Sequence, residues 1–368
     1  MRSTKIIACI FSTDDGYGQG VAHGVARYTR EHPEYRGVVT APTSPIPDNC
    51  IGALARVYTH EDIEQCKKRG VTTIVVSTTH LPSPFSAVQI DDAQIGRMAA
   101  DYYLNKGFRR FIGMSWAWTD RNEHRTKTFG EHVMAAGAES YSWMIADENE
   151  LHRKLAELSK PVALFCWNDK LARWVLECVK SQGLDVPGDV AVLGVDNDLI
   201  QCGLAPVDIS SIEIDPQAVG YRACELLVSS YKTPHAEPVR LYIPPKGPVE
   251  RVSTNTIAYT DAAISKAFLF INRNIARVVT VPEVAAAAGL ARRTLERRMR
   301  EQTGRSIREE IVRARLMYAR DLLVRTREPI ATVAEMSGFN EYRYFLRAFR
   351  TAYGSSPRAF RKENNTLA

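Results

Sequence analysis

Val281-Pro-Glu-Val-Ala-Ala-Ala-Ala-Gly-Leu-Ala-Arg-Arg-Thr-Leu-Glu-Arg-Arg-Met-Arg300 and Ile330-Ala-Thr-Val-Ala-Glu-Met-Ser-Gly-Phe-Asn-Glu-Tyr-Arg-Tyr-Phe-Leu-Arg-Ala-Phe-Arg350 are two versions of one pattern. Each puts a small residue, Ala285 or Ala334, where two helices must approach closely. Four positions later comes a glycine, Gly289 or Gly338, able to take the positive φ of a tight turn. Both landmarks repeat at an offset of 49 residues. The pattern predicts two helix-turn-helix units in tandem, a doubled reader of duplex DNA.

The second helix of each unit sorts its residues by face. Leu295 and Met299, four apart, point inward, as do Phe345, Phe349 and Tyr353 in the later unit. Arg292, Arg293, Thr294, Glu296, Arg297 and Arg300 are left outward in the first unit. Glu341, Tyr342, Arg343, Tyr344 and Arg347 are left outward in the second. We expect Arg293, Arg297, Arg343 and Arg347 at base edges, where each bidentate pair to guanine is worth ~1–3 kcal/mol of discrimination. Around the units, Asp261–Asn274 reads as an amphipathic helix carrying Ile264, Phe268 and Ile271. Ser306–Thr326 reads as a long rigid spacer with Ile307, Ile311, Ala314, Tyr318 and Leu322 inward, and the segment from Gly354 to Phe360 closes the second unit with a short helix.

Charge supports a polyanion partner. Residues 251–368 hold 22 Lys+Arg against 11 Asp+Glu, whereas residues 1–250 hold 26 against 31, within a net charge of +6. Of the 22 basic residues only Lys266 and Lys362 are lysine, and arginine's planar fork suits phosphates and guanine edges. A helical protein-binding domain with solvated arginines is the plainer alternative, but it explains neither the lopsided charge nor the matched turns.

At 368 residues the chain is too long for one typical core, so two or three domains are expected. Seven cysteines are scattered through apolar runs without a CxxC, the usage of a reducing compartment. The apolar run after Lys5 stops at Phe11, and no 18-residue apolar stretch occurs, so a cytoplasmic protein without a membrane partner is expected. The eight histidines show neither HExxH nor ligand-like clustering, and we find no P-loop or nucleophile elbow. No metal, no cofactor and no catalytic residue is therefore expected.

Residues 1 to about 250 alternate β-branched runs with amphipathic stretches. Strands are expected at Lys5–Phe11, Thr73–Ser77, Arg110–Met114, Val162–Trp167 and Val190–Val195. Helices are expected at Gly18–Thr29, Asp92–Asn105, Glu123–Ala136, Asp169–Gln182 and Pro216–Ser230. Such alternation predicts α/β lobes with parallel sheets, which bind ligands off the carboxyl ends of their strands. The residues there are polar and aromatic: Tyr17, His80, Asp91, Arg125, Trp167, Asn168, Asp196 and Asn197. Carboxylates, carboxamides and an arginine can chelate a sugar's vicinal hydroxyls while tryptophan packs its C–H face. Asp169 and Asp198 read more simply as helix N-caps, and His80 as a solvated loop residue. The run from Asp14 to Gly24 hints at a dinucleotide fingerprint, but neither Gly16-x-Gly18 nor Gly18-x-Gly20 is completed by a third glycine. Those glycines are better placed to let helices pack closely. Pro244, Pro245 and Pro248 forbid a helix and mark a stiff, extended connector.

Three stretches carry a family resemblance. Leu184-Asp-Val-Pro-Gly-Asp-Val-Ala-Val-Leu-Gly-Val-Asp-Asn197, Val88-Gln-Ile-Asp-Asp-Ala-Gln-Ile-Gly-Arg-Met-Ala-Ala100 and the spaced Arg125/Phe129 pair resemble LacI-type regulator cores. That resemblance implies a two-lobed periplasmic-binding-protein-like clamshell, with Arg125, Asn168 and Asp196 at the effector positions. The chain departs from that family in having no counterpart of its DNA-reading headpiece before Lys5. Gly338-Phe-Asn-Glu-Tyr-Arg-Tyr-Phe-Leu-Arg-Ala-Phe-Arg-Thr-Ala-Tyr-Gly-Ser-Ser-Pro-Arg-Ala-Phe-Arg361 is similar to the signature of the AraC-type activators. It implies two recognition helices in successive major grooves, about 34 Å apart. The combination resembles the regulators of bacterial xylose operons, especially over Pro248–Asn255 and Arg292–Glu301. The division expected is a sensor over 1–250, a linker over 251–260 and a reader over 261–368. The resemblance implies a sugar-responsive activator, with D-xylose the leading effector, working as a homodimer with RNA polymerase on promoter half-sites. Alternatives are a regulator sensing another pentose or small polar metabolite, a nucleotide-sensing regulator, or a sugar-acting enzyme tethered to DNA.

Overall fold

The computed structural model describes the chain except for residues 1–3, 42–43, 78–82, 118–122, 234–236, 256–261 and 365–368. Apolar, mostly β-branched runs build the first sheet from β1 (Lys5–Ile10), β2 (Tyr35–Val39), β3 (Cys50–Ala55), β4 (Thr73–Val75) and β5 (Ser86–Ile90). A second sheet follows, from β6 (Arg110–Trp116), β7 (Glu139–Ile145), β8 (Val162–Cys166), β9 (Val190–Asp196) and β10 (Ser210–Glu213). The chain then returns to the first sheet with β11 (Arg240–Ile243) and ends in the second with β12 (Gly247–Val249). The strand orders are β11-β5-β4-β3-β1-β2 and β12-β10-β9-β8-β6-β7. All pairings are parallel except β10 with β12. Each sheet is therefore the core of one lobe, and the chain crosses between lobes after β5, after β10 and after β11.

Helices cover both sheets: α1 (Gly16–Glu31), α2 (His60–Lys68), α3 (Asp92–Asn105), α4 (Glu123–Ala135), α5 (Glu148–Glu157), α6 (Asp169–Ser181), α7 (Leu199–Leu204) and α8 (Pro216–Lys232). α1 and α8 pack so closely that a Cβ on Gly24 would lie 2.1 Å from the Gln217 carbonyl oxygen. The glycine-rich start of α1 thus serves helix packing, as its incomplete fingerprint suggested. All five expected strands and all five expected helices are present, with ends displaced by at most two residues.

The expected proline-stiffened connector is a correction. Pro244 and Pro245 lie between strands of different sheets, and Pro248 sits inside β12, opposite Ile212. An edge strand tolerates proline because its missing N–H faces away from the ladder. Residues 251–255, expected to be linker, are packed as well: Arg251, Ser253, Thr254 and Asn255 are all buried.

The helical end comprises α9 (Ala262–Arg273), α10 (Val281–Ala287), α11 (Arg292–Thr303), α12 (Ile307–Arg325), α13 (Ile330–Met336), α14 (Tyr342–Tyr353) and α15 (Pro357–Asn364). α10 and α11 form the first helix-turn-helix, and α13 and α14 the second. Gly289 and Gly338 turn with φ of 69° and 76°, and Ala285 and Ala334 are buried at the crossings. Thr280 with Glu283 and Ser306 with Glu309 form capping boxes that start α10 and α12. Gly304 and Gly354 end α11 and α14 in the left-handed conformation.

Two small cores share α12. Ile307, Ile311 and Ala314 join Phe268, Leu295 and Met299 in one, whereas Leu316, Ala319 and Leu323 join Phe345 and Phe349 in the other. Tyr318 and Leu322, expected inward, are only half-buried. A helix that serves two cores must change its buried face midway, which a single periodic reading misses.

Candidate functional site

The carboxyl ends of the two sheets face each other across a cavity of about 730 Å³, within the ~300–1,000 Å³ common for small-ligand sites. On the first lobe Asp15 caps α1, accepting from the Gly18 N–H at 2.6 Å, and pairs with Arg56 at 2.7 Å. The Arg56 guanidinium lies 5.3 Å from the centre of the Tyr17 ring and 5.0 Å from that of Tyr58. Tyr17 is fixed in turn by donating its hydroxyl to the Val76 carbonyl at 2.8 Å, and burial pushes its phenol pKa up. The first lobe therefore offers one charged pair framed by two aromatic faces.

The second lobe answers with Trp116, Arg125, Trp167, Asn168 and Asp196. Arg125 is 5% exposed and donates through Nε and Nη2 to Asp92 at 3.1 and 2.6 Å. Its Nη1 donates to the Trp167 carbonyl, and its guanidinium stacks 5.6 Å from the centre of the Trp167 ring. Asp196 ends β9 with φ of 106°, and burial, then the nearby Asp169 carboxylate, push its pKa well up. Asn168 is the N-cap of α6, accepting from the Leu171 N–H at 2.9 Å. Charged forks and carboxyls set between indole and phenol faces suit a ring with apolar C–H faces and an equatorial belt of hydroxyls.

The structure brings Tyr17, Arg125, Trp167, Asn168 and Asp196 together around the cavity. Asp91 is a correction: its carboxylate caps α3, accepting from the Gln94 N–H at 2.8 Å, while its neighbour Asp92 turns inward to hold Arg125. Asn197 is another, because its side chain accepts from Arg251 at 2.5 Å and donates to Glu213 at 3.4 Å instead of lining the cavity. His80 lies outside the described residues. Asp198 does cap α7, as expected, but Asp169 sits one residue inside α6 with the cap role taken by Asn168. Asp15, Arg56, Tyr58 and Trp116 were missed as cavity residues. Asp15 lies in the Asp14–Gly24 run discussed above and Trp116 just past the expected Arg110–Met114 strand, whereas Arg56 and Tyr58 follow β3, a strand without a recognisable β-branched pattern.

On the helical end Arg292, Arg293, Arg297 and Arg300 of α11 are exposed, and Thr294 is half-buried. Glu296, expected outward, is half-buried and accepts from the Ile307 N–H at 3.4 Å, so it ties α11 to α12. On the second unit Glu341, Tyr342, Arg343, Tyr344 and Arg347 are all exposed. Each unit thus presents an arginine-rich helix face to solvent. One grouping of ligand-type side chains was not foreseen: Glu148, His152 and Cys178, whose ligand atoms lie within 4.8 Å of one another. Burial pushes the Cys178 thiol up to about 12, which favours the protonated form over a metal-binding thiolate. Among the described residues no helix is long and apolar enough to cross a membrane.

Residues 100–254 match the periplasmic binding protein-like domain family, and residues 284–363 match a helix-turn-helix domain family. The chain thus joins a periplasmic-binding-protein-like domain to a helix-turn-helix domain. It is 28% identical over 298 residues to the xylose operon regulatory protein of Escherichia coli K12, covering 77% of this chain and 76% of that one. The corresponding protein of Haemophilus influenzae is 22% identical over 96% of this chain and 97% of its own. Among solved structures, that of the xylose-binding transcription activator xylR superposes with a TM-score of 0.76 at 24% identity, covering 98% of both chains. This regulator therefore binds DNA through its helix-turn-helix end, and its curated relatives are transcription regulators, not enzymes.

Proposed function

We propose that this regulator senses a small sugar, D-xylose first among candidates, in the cleft between its lobes and answers by changing how its two readers meet promoter DNA. The observation that supports it is the pairing of Arg125 and Asp196 with Trp167 across from Arg56 and Tyr17, the furniture of a polyol site. The names of the relatives point to the same sugar. Binding in the cleft draws the lobes together because each lobe supplies half of the contacts. A hundredfold shift between open and closed forms needs the sugar to favour one by only ~2.7 kcal/mol.

In this reading the sensor, linker and reader divide near residues 250–260. The chain works in the cytoplasm as a homodimer, its four recognition helices reading repeated half-sites and its bound form recruiting RNA polymerase. Calorimetry against D-xylose, other pentoses, hexoses and dinucleotides tests the effector directly. D-xylose binds the wild type, while Arg125→Ala and Trp167→Ala abolish that heat and leave affinity for DNA intact. A variant that binds sugar as the wild type does removes Arg125 from the site, and a wild type that binds only a dinucleotide overturns the sugar altogether.

A further inference from the structure

Two chains of contact leave the cleft and end on adjacent residues. The first starts at the Asp196–Asn197 turn, where neither residue is glycine yet both have positive φ, 106° and 53°. That turn is clamped by Arg251, a buried residue whose guanidinium donates to Asn197 Oδ1 at 2.5 Å and to the Ile209 carbonyl at 2.7 Å. The Arg251 backbone N–H is itself fixed by the Ser210 hydroxyl at 2.8 Å. The second chain is α3. Its first residue, Asp92, holds Arg125 in the cleft, and its C-cap residue, Lys106, pairs with Glu250.

Glu250 also faces the reader. Its carboxylate accepts from Arg313 at 3.2 Å, and its backbone carbonyl accepts from Arg320. Both arginines lie on α12, the helix common to the two helix-turn-helix units. Arg313 is held further by Asn255 at 2.7 Å and by Glu310 of its own helix at 2.5 Å. Burial opposes the Glu250 charge, but Lys106 and Arg313 outweigh it and keep the carboxyl below its usual range. A charge so enclosed is bound to its partners, because leaving any of them unpaired is strongly unfavourable.

We propose that Glu250 and Arg251 are the joint of this regulator: Arg251 follows the turn at the cleft, Glu250 grips α12, and lobe closure is thereby passed to both readers as one body. The proposal rests on the sugar-sensing reading and assigns it a route. β12 ends at Val249, so the joint begins one residue beyond the strand that completes the third crossing between lobes. Since α12 carries a core of each reader unit, a shift at Arg313 and Arg320 moves α11 and α14 together.

The test uses the full chain, D-xylose, and a duplex selected in vitro by the purified wild-type protein. Glu250→Gln, Arg251→Lys and Arg313→Lys are compared, the two lysine variants keeping charge where Glu250→Gln risks the fold. In the wild type the sugar changes affinity for the duplex about tenfold, whereas in each folded variant that ratio falls to about twofold or less with sugar affinity unchanged. Variants that retain the wild-type ratio overturn the joint, while a wild type that binds no D-xylose sinks the sugar reading instead. Hydrogen exchange on the sugar-free proteins then decides the joint by itself. Arg251→Lys is expected to raise exchange in both 199–204 and 307–320, and a rise confined to the sensor segment overturns it.

Discussion

Arg125 and Arg251 in the sensor are about 5% exposed or less and are held by carboxylate, carboxamide and carbonyl oxygens. Arg293, Arg343 and Arg347 in the reader stand in solvent on their helix faces. The same side chain fixes geometry in one place and supplies a mobile positive charge in the other. Burial decides which, because a desolvated guanidinium must keep its partners whereas an exposed one is free to exchange water for phosphate or a base edge. The two groups should therefore fail differently when altered. Asp92→Ala leaves Arg125 buried without its carboxylate and is expected to destabilise the sensor by about 3–5 kcal/mol. Chemical denaturation followed by tryptophan fluorescence reads this cleanly, since all five tryptophans lie between residues 116 and 174. An unchanged midpoint would mean that the Arg125–Asp92 pair is incidental.

On the reader the expected loss is of binding, not of stability. Arg343→Ala and Arg347→Ala should each weaken specific DNA binding by about 1–3 kcal/mol, with changes in folding stability within ~0.5 kcal/mol. Fluorescence anisotropy at several salt concentrations separates base from phosphate contacts, because losing a phosphate contact flattens the salt dependence. If neither variant alters affinity, the second unit is not a DNA-contacting face.

The two turn glycines allow a finer comparison within the reader. Gly289 and Gly338 share a left-handed backbone, but a Cβ on Gly289 meets open space, whereas one on Gly338 would lie 2.6 Å from the Ile275 carbonyl oxygen. Gly289→Ala should cost about 1 kcal/mol, the left-handed strain alone, and Gly338→Ala distinctly more. Equal effects on the melting of the helical end would show that the first and second units meet more loosely than their spacing indicates.

Much of this was readable in the residues because local rules govern it. The paired Ala and Gly landmarks mark both turns, and the Asp92–Asn105 helix runs as its apolar spacing predicts. Asp91 and Asp92 show where reading stops: whether the cap or its neighbour faces the cleft depends on which residue starts the helix, a one-position matter. Arg56 was hidden because Cys50–Ala55 contains a single β-branched residue, Ile51, and does not look like a strand. The joint at Glu250 was beyond reach for another reason. Its partners Lys106, Arg313 and Arg320 are separated from it by 144, 63 and 70 residues, and only the fold brings them together.

The smallest expected effect is on pH dependence, and its sign differs between the two ends. Asp169 is fully buried at the start of α6, where its Oδ2 accepts from the Asp198 N–H at 2.8 Å. Burial raises its pKa from 3.8 to about 7. An acid that holds its proton more tightly when folded favours the folded state at low pH, and that advantage is lost as pH rises from its unfolded value through about 7. Glu283 of the reader behaves oppositely: hydrogen bonds from Arg277 and Thr280 lower it to about 2, so its contribution is present above the ordinary 4.5 and lost as pH falls toward 2. Between pH 5 and 8, then, the tryptophan-reported melting of the sensor should decline while Glu283 contributes no slope. Asp169→Asn keeps an oxygen to accept from Asp198 and removes the charge, so it should flatten the sensor's decline without altering the helical end. A variant whose tryptophan melting temperature falls with pH as steeply as that of the wild type would place the titrating group elsewhere, with the neighbouring Asp196, whose carboxyl is raised by the same burial, next in line.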